Sequence, residues 1–331
     1  MFNFSFPPLA RCILFVSLVL GQFSQFVQLS QAAPTGRTLE TGSITIAGEK
    51  RRTFHLHDGV PPDDGPVILL LVGSGCDDFS LRMAKFFDKY PAPLNVYMLD
   101  KPGLKKGAQN PASCPAKFSA NDQLQRRVQD NLTFIEQHPL LKQRARHSIA
   151  LLGFSEGGAI APFVAAASDK IGWLATAGAG GLAQSEEFLI FVQRNVAPFG
   201  QPFTKEYVLK EFAAIKRHPN SLKKEFFGHP YRYWTQHLFH DPLQTYAKLD
   251  IPMVAAMGEK DDAVPIESGH VLRDYFAKHP EKNFRFIEFP NAGHGLRTPE
   301  QDGAQIFVAA LARWFKGDTE AFNFNLAKPT P

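Results

Sequence analysis

Ile149-Ala-Leu-Leu152 is an unbroken apolar run, and Gly153-Phe154-Ser155-Glu156-Gly157-Gly158 follows it directly. The run, within His147–Gly153, reads as a buried strand, and Glu156–Ala167 reads as the helix behind it. A turn this sharp leaves no room for side chains two positions either side of the serine. Gly153 and Gly157 have no Cβ and meet that demand. Ser155 is then held in a strained conformation with its Oγ projecting beyond the sheet. The helix N-terminus behind it favours negative charge developing there.

The alternation continues outward in both directions. Upstream are strand-like runs at Ser43–Ala47, Thr53–His57, Val67–Val72 and Asn95–Leu99, with helical segments at Ser80–Lys89 and Asn121–Gln137. Downstream are strands at Gly172–Ala177, Pro252–Met257 and Phe284–Phe289, with helices at Ile266–Lys278 and Pro299–Phe315. Continuous apolar strands between amphipathic helices predict an α/β fold, a mostly parallel central sheet flanked by helices, with the first two strands as an antiparallel edge. The pattern breaks over about 182–250, a helical block rich in Phe, Tyr and Trp, which reads as a cap inserted into a single domain. Pro162 should disturb the helix that carries it, and the polar tail from Gly317 reads as loosely held.

A serine hydroxyl is too weak an acid to attack unaided, so a base and an orienting acid are needed. Ligands of open α/β sheets bind beyond the carboxyl ends of the strands. Beyond Pro252–Met257 lies Gly258-Glu-Lys-Asp261-Asp262-Ala-Val264-Pro265, where Asp261 and Asp262 compete for the acid's place. Beyond Phe284–Phe289 lies Gly293-His294-Gly295, a histidine between glycines that can approach the serine without crowding. Val72-Gly73-Ser74-Gly75-Cys76 ends the first fully apolar strand, and its glycines suit a turn that aims backbone N–H groups at a developing oxyanion. The second donor is the N–H of Glu156, directly after the serine. No His-Glu-x-x-His or Cys/His cluster points to a metal, and His55, His57, His237 and His240 read as surface or hydrogen-bonded residues.

These motifs together resemble the α/β-hydrolase superfamily, over about Ser43 to Phe315. The resemblance implies the α/β-hydrolase fold and gives the nucleophile's role to Ser155, the base's to His294 and, through Gly-x-x-Asp ahead of Val-Pro, the acid's to Asp261. It also places caps where the aromatic block stands. Many members carry His-Gly before the oxyanion turn, where this chain has Val72-Gly73; Ser74 is the expected donor there, with Cys76 the alternative. The implied chemistry is hydrolysis of a small-molecule carboxylic ester through an acyl-enzyme, with no metal or organic cofactor. An amidase or peptidase on the same triad is the second reading, in which Glu186 or Glu187 would hold a substrate amine; a solvated helix start is the plainer account of that pair. A binding protein on the same scaffold is the third, although all three positions are filled here. A dehalogenase would need a carboxylate where Ser155 stands.

Composition narrows the setting. With 44% hydrophobic residues the chain is too apolar for disorder, and with 3 Cys in 331 residues it is no disulfide-stapled mini-domain. A net charge of +4 without a long basic run argues against a nucleic-acid partner. The 30 Phe require burial in a core, pocket or interface. Residues 1–32 read as a secretory signal peptide: Arg11 precedes the apolar run Cys12–Gly21, and Ser30-Gln31-Ala32 offers small residues for cleavage. That run is too short to span a bilayer, so no stable membrane anchor is expected. The predicted product, 33–331, is periplasmic or secreted and keeps Cys76 and Cys114, either bridged or as two buried thiols.

Overall fold

Val67–Leu71 forms a strand, β3, in which every residue is buried. Ile68 and Leu70 enter one apolar core, while Val67, Leu69 and Leu71 enter another on the opposite face. A strand filling two cores has no face for a polar side chain, which is why its sequence does not alternate. The computed structural model describes residues 36–59, 66–91, 93–109, 114–197, 203–324 and 326; the expected signal peptide and Phe199 of the aromatic block lie outside them.

Around β3 stand β1 (Thr38–Ile46), β2 (Glu49–His57), β4 (Asn95–Leu99), β5 (Ile149–Phe154), β6 (Ile171–Ala177), β9 (Met253–Gly258) and β10 (Phe284–Phe289). The order across the sheet is β1-β2-β4-β3-β5-β6-β9-β10. β1 and β2 pair antiparallel at one edge, β2 meets β4 antiparallel, and the remaining pairs are parallel. One face is covered by α1 (Leu124–Gln137), α2 (Glu156–Ala167) and α7 (Ile266–Ala277), and the other by α8 (Gly303–Trp314).

Three local expectations change. The segment expected as a helix over Ser80–Lys89 is a 3₁₀ turn, Phe79–Leu81, and a single helical turn, Met83–Phe86. It ends because Asp88 and Tyr90 bond three residues back, which returns Tyr90 to the core. Pro162 does not break α2, since Ile160, Ala161 and Val164 are fully buried beside it and hold the helix in place. The tail is not loose as far as Phe322, which is 3% exposed and packs 5.7 Å from the Phe307 ring and 5.6 Å from Trp314. One aromatic ring finding the apolar face of α8 outweighs the polar residues around it.

Between β6 and β9 lie α3 (Gln184–Arg194), α4 (Lys205–Arg217), the short pair β7 (Glu225–Phe226) and β8 (His229–Pro230), α5 (Tyr231–His237) and α6 (Pro242–Ala247). Phe188, Phe212, Phe226 and Trp234 pack on one another as a separate small core. Most of the aromatic excess in this block therefore holds the block together. α6 differs: Tyr246 belongs to the sheet's core, and its hydroxyl lies 2.9 Å from Thr176 Oγ1 on β6.

Candidate active site

Ser155 sits between β5 and α2 at φ 53°, ψ −126°, a backbone region that non-glycine residues avoid. The surroundings hold it there: Ser155 N donates to Ala177 O at 2.8 Å, and its carbonyl accepts from Gly158 N at 2.8 Å. A Cβ on Gly153 would stand 2.4 Å from Gly157 O, and one on Gly157 would stand 2.1 Å from Leu71 O. The glycines thus serve two close approaches, one within the turn and one between the helix and the end of β3.

His294, in the loop after β10, places Nε2 2.9 Å from Ser155 Oγ. Its Nδ1 lies 3.0 and 2.9 Å from the two oxygens of Asp261. Asp261, in the loop after β9, is buried, and its Oδ1 also accepts from the backbone N–H groups of Ala263 and Val264, each at 2.9 Å. Asp262 is exposed, and of the two acids it is Asp261 that lies against the His294 ring. Burial by itself lowers the pKa of His294, but the Asp261 carboxylate and its hydrogen bond, with Asp262 and Glu187 behind, raise it above the ordinary imidazole value. A close approach to the His294 ring is made at Gly178. A Cβ on Gly178 would stand 2.9 Å from that ring and one on Gly258 2.3 Å from Ala292 O, whereas one on Gly293 would meet nothing closer than 4.0 Å.

The expected oxyanion turn lies beside the serine: a Cβ on Gly73 would stand 3.1 Å from Ser155 Cβ. Ser74 follows it, and Gly75 adopts φ +82°. Cys76 is bonded to Cys114, which decides between bridge and free thiols. Glu156 opens α2, and its buried carboxylate lies 2.7 Å from Arg127 Nη1 and 3.2 Å from His237 Nε2 of α5.

A family model described as the alpha/beta hydrolase family matches residues 68–310. The chain belongs to the α/β hydrolase family. Among curated protein sequences none matches it. Solved structures are similar in fold at low identity. An acylaminoacyl peptidase from Pyrococcus horikoshii superposes with TM-score 0.56 at 12% identity, over 86% of this chain and 42% of that one, so this chain spans less than half of that relative. Est1E from Butyrivibrio proteoclasticus gives 0.54 at 13%, over 84% and 99% of the two chains. The esterase EaEST from Exiguobacterium antarcticum gives 0.52 at 18%, over 84% and 100%.

This α/β hydrolase carries buried polar groups around the site, among them Lys101 and Asp122, which the motifs did not include, and Glu187, which was expected in solvent. Lys101 and Asp122 are almost fully buried, and burial pulls the lysine down to about 8 and pushes the aspartate up to about 7. Glu187 of α3 is not solvated. It is 7% exposed, accepts from Ser268 Oγ at 2.6 Å, and burial raises its carboxyl to about 8. Glu186 instead caps its own helix by accepting from Ala183 N at 3.0 Å. Lys101 stands just beyond the end of β4, the same kind of position that Ser155, Asp261 and His294 hold after β5, β9 and β10, and that position is its signal in the sequence. Asp122 and Arg127 stand at no strand end and carried no such signal. Among the described residues, Glu40, His55 and His57 bring three metal-type ligand atoms within 4.8 Å of one another on the outer sheet edge. Gly59 N donates to His57 Nδ1 at 3.0 Å, however, which places the neutral ring's proton on Nε2, the atom that faces Glu40 at 3.4 Å. In that tautomer Nε2 carries its proton and offers a metal no lone pair.

Proposed function

We propose that the protein is an exported serine hydrolase that cleaves a carboxylic ester through an acyl-enzyme. The continuous line Ser155 Oγ–His294 Nε2, His294 Nδ1–Asp261 carries the reading. Ser155 Oγ attacks the ester carbonyl as its proton passes to His294 Nε2. Asp261 holds the imidazole in the tautomer that leaves Nε2 free to accept, and stabilises the imidazolium that forms. N–H groups of Glu156 and of the Gly73–Cys76 turn hold the oxyanion, a contribution of roughly 2.7–4 kcal/mol for each donor. Collapse expels the alcohol, which takes the proton from Nε2. Water then attacks the acyl carbonyl, its proton passes by the same histidine, and the acid leaves with Ser155 restored.

The ester is favoured over the amide by the fate of the acidic pair on α3. Glu186 is used as a cap and Glu187 is bonded to Ser268, so neither presents a free carboxylate for a substrate amine. The fold itself hosts both chemistries, since its structural relatives include an esterase and an acylaminoacyl peptidase. The disulfide supports export, because such bonds persist in oxidising compartments. Fluorophosphonate labelling tests the nucleophile: the wild type should be labelled at Ser155 and Ser155→Ala should not, and full labelling of the variant would overturn the assignment. p-Nitrophenyl esters run against amino-acid anilides test the substrate class, with turnover expected on the esters.

A further inference from the structure

Two buried cations stand against the turn that faces Ser155, and the acyl-transfer scheme uses neither. Lys101 Nζ donates to the carbonyl of Gly73 at 2.9 Å and also to the carbonyl of Gly75. Arg127 Nη2 donates to the carbonyl of Val72 at 2.6 Å, and its Nη1 lies 2.7 Å from the Glu156 carboxylate. The turn before the candidate donors and the residue after the nucleophile are thus fastened to the same guanidinium.

Peptide planarity gives these contacts a direction. The carbonyl of one residue and the N–H of the next lie in one plane and, in a trans peptide, point opposite ways. Holding the Gly73 carbonyl therefore aims the N–H of Ser74, and holding the Gly75 carbonyl aims the N–H of Cys76. These are the two N–H groups that compete for the oxyanion, and one ammonium sets both. A cation on the carbonyl side also polarises each peptide, which strengthens its N–H as a donor. Lys101 and Arg127 are 5% and 4% exposed, so water screens these contacts little.

We propose that Lys101 is the positioning residue of the oxyanion hole, aiming the Ser74 and Cys76 N–H groups at the tetrahedral intermediate, with Arg127 locking the same turn to Glu156; this rests on the acyl-transfer reading above. The acidic groups Asp100, Asp122 and Glu156 surround Lys101 and offset its charge. Removing the lysine alone leaves Asp122 buried without that cation, and both Asp122 oxygens already lack a protein hydrogen bond among the described residues. Lys101→Met is therefore paired with Lys101→Met/Asp122→Asn, which removes one charge of each sign.

The test measures kcat and KM on a p-nitrophenyl ester, and affinity for phenylboronic acid, whose serine adduct carries a tetrahedral oxyanion. Folded variants should lose about 10- to 100-fold in kcat with KM within about threefold, and boronate affinity should fall in step with kcat/KM. A folded variant with kcat within about twofold of wild type, or a loss carried by KM alone, would overturn the proposal. Fluorophosphonate labelling of the wild type, run in parallel, separates the two levels: failure to label Ser155 sinks the acyl-transfer reading itself, whereas normal labelling with undiminished variant kcat sinks only the role of Lys101.

Discussion

His294 has a raised pKa although it is partly buried, and the sign of that shift predicts a pH profile. Burial disfavours the imidazolium; the Asp261 carboxylate, 2.9 Å from Nδ1, more than offsets it. A raised value means the ring keeps its proton to higher pH, so the neutral base that accepts from Ser155 appears only above the ordinary 6.5. The acid limb of kcat/KM should accordingly have its midpoint above that value. Asp261→Asn removes the charge that raises it, so the limb should move to lower pH while kcat drops by about 10³- to 10⁴-fold. A pH–rate series on both proteins checks this, and an unmoved limb in the variant would separate Asp261 from the base. The sequence left Asp261 and Asp262 in competition until the family pattern chose between them. What distinguishes them physically is that Oδ1 of Asp261 collects the N–H groups of Ala263 and Val264, a turn geometry that adjacent aspartates do not announce.

At the scale of elements, α3 shows how a charged pair divides between two tasks. Glu186 and Glu187 are neighbours, so their side chains leave the helix about 100° apart. One returns to cap the helix, and the other points inward on the side that also buries Phe188 and Phe191. Glu187 stands one helical turn before Phe191, and that spacing was the available sign of its burial. Burial raises its folded-state pKa to about 8, against an ordinary 4.5. Between those values the folded protein holds a proton that the unfolded chain has released. Stability should therefore fall as pH rises through that window, by up to roughly 1.4 kcal/mol per pH unit. Glu187→Gln cannot ionise and should flatten this slope, giving a variant nearly as stable as wild type at pH 5 and more stable at pH 8. Urea denaturation across the window measures it; the same slope in both proteins would place the titration elsewhere.

For the whole molecule, legibility followed how local each signal was. The inner parallel strands β3, β5 and β9 could be read because each fills two cores and so shows an uninterrupted apolar run, whereas the edge strand β10 carries Arg285 and Glu288. Ser155, Asp261 and His294 could be found because each stands in the segment that follows the carboxyl end of a parallel strand, β5, β9 and β10. The clamp of Lys101, Arg127 and Glu156 joins three separate stretches of chain, and no spacing within any one of them implies it. The disulfide lies between these cases, since two cysteines suggest a bridge without proving that the fold brings them together. Cys76 ends the turn that Lys101 holds, and its bond to Cys114 spans a sequence separation of 38. Closing a loop of that length in the unfolded chain contributes about 4 kcal/mol in the chain-entropy model. Cys114→Ser should lose close to that amount in urea denaturation. Reductant should bring the wild type down to the variant's stability and leave the variant unchanged, because both would then lack the same constraint. A wild-type midpoint indifferent to reductant, with the thiols shown to be free, would mean that the packing around buried Cys76 holds this turn without the bond.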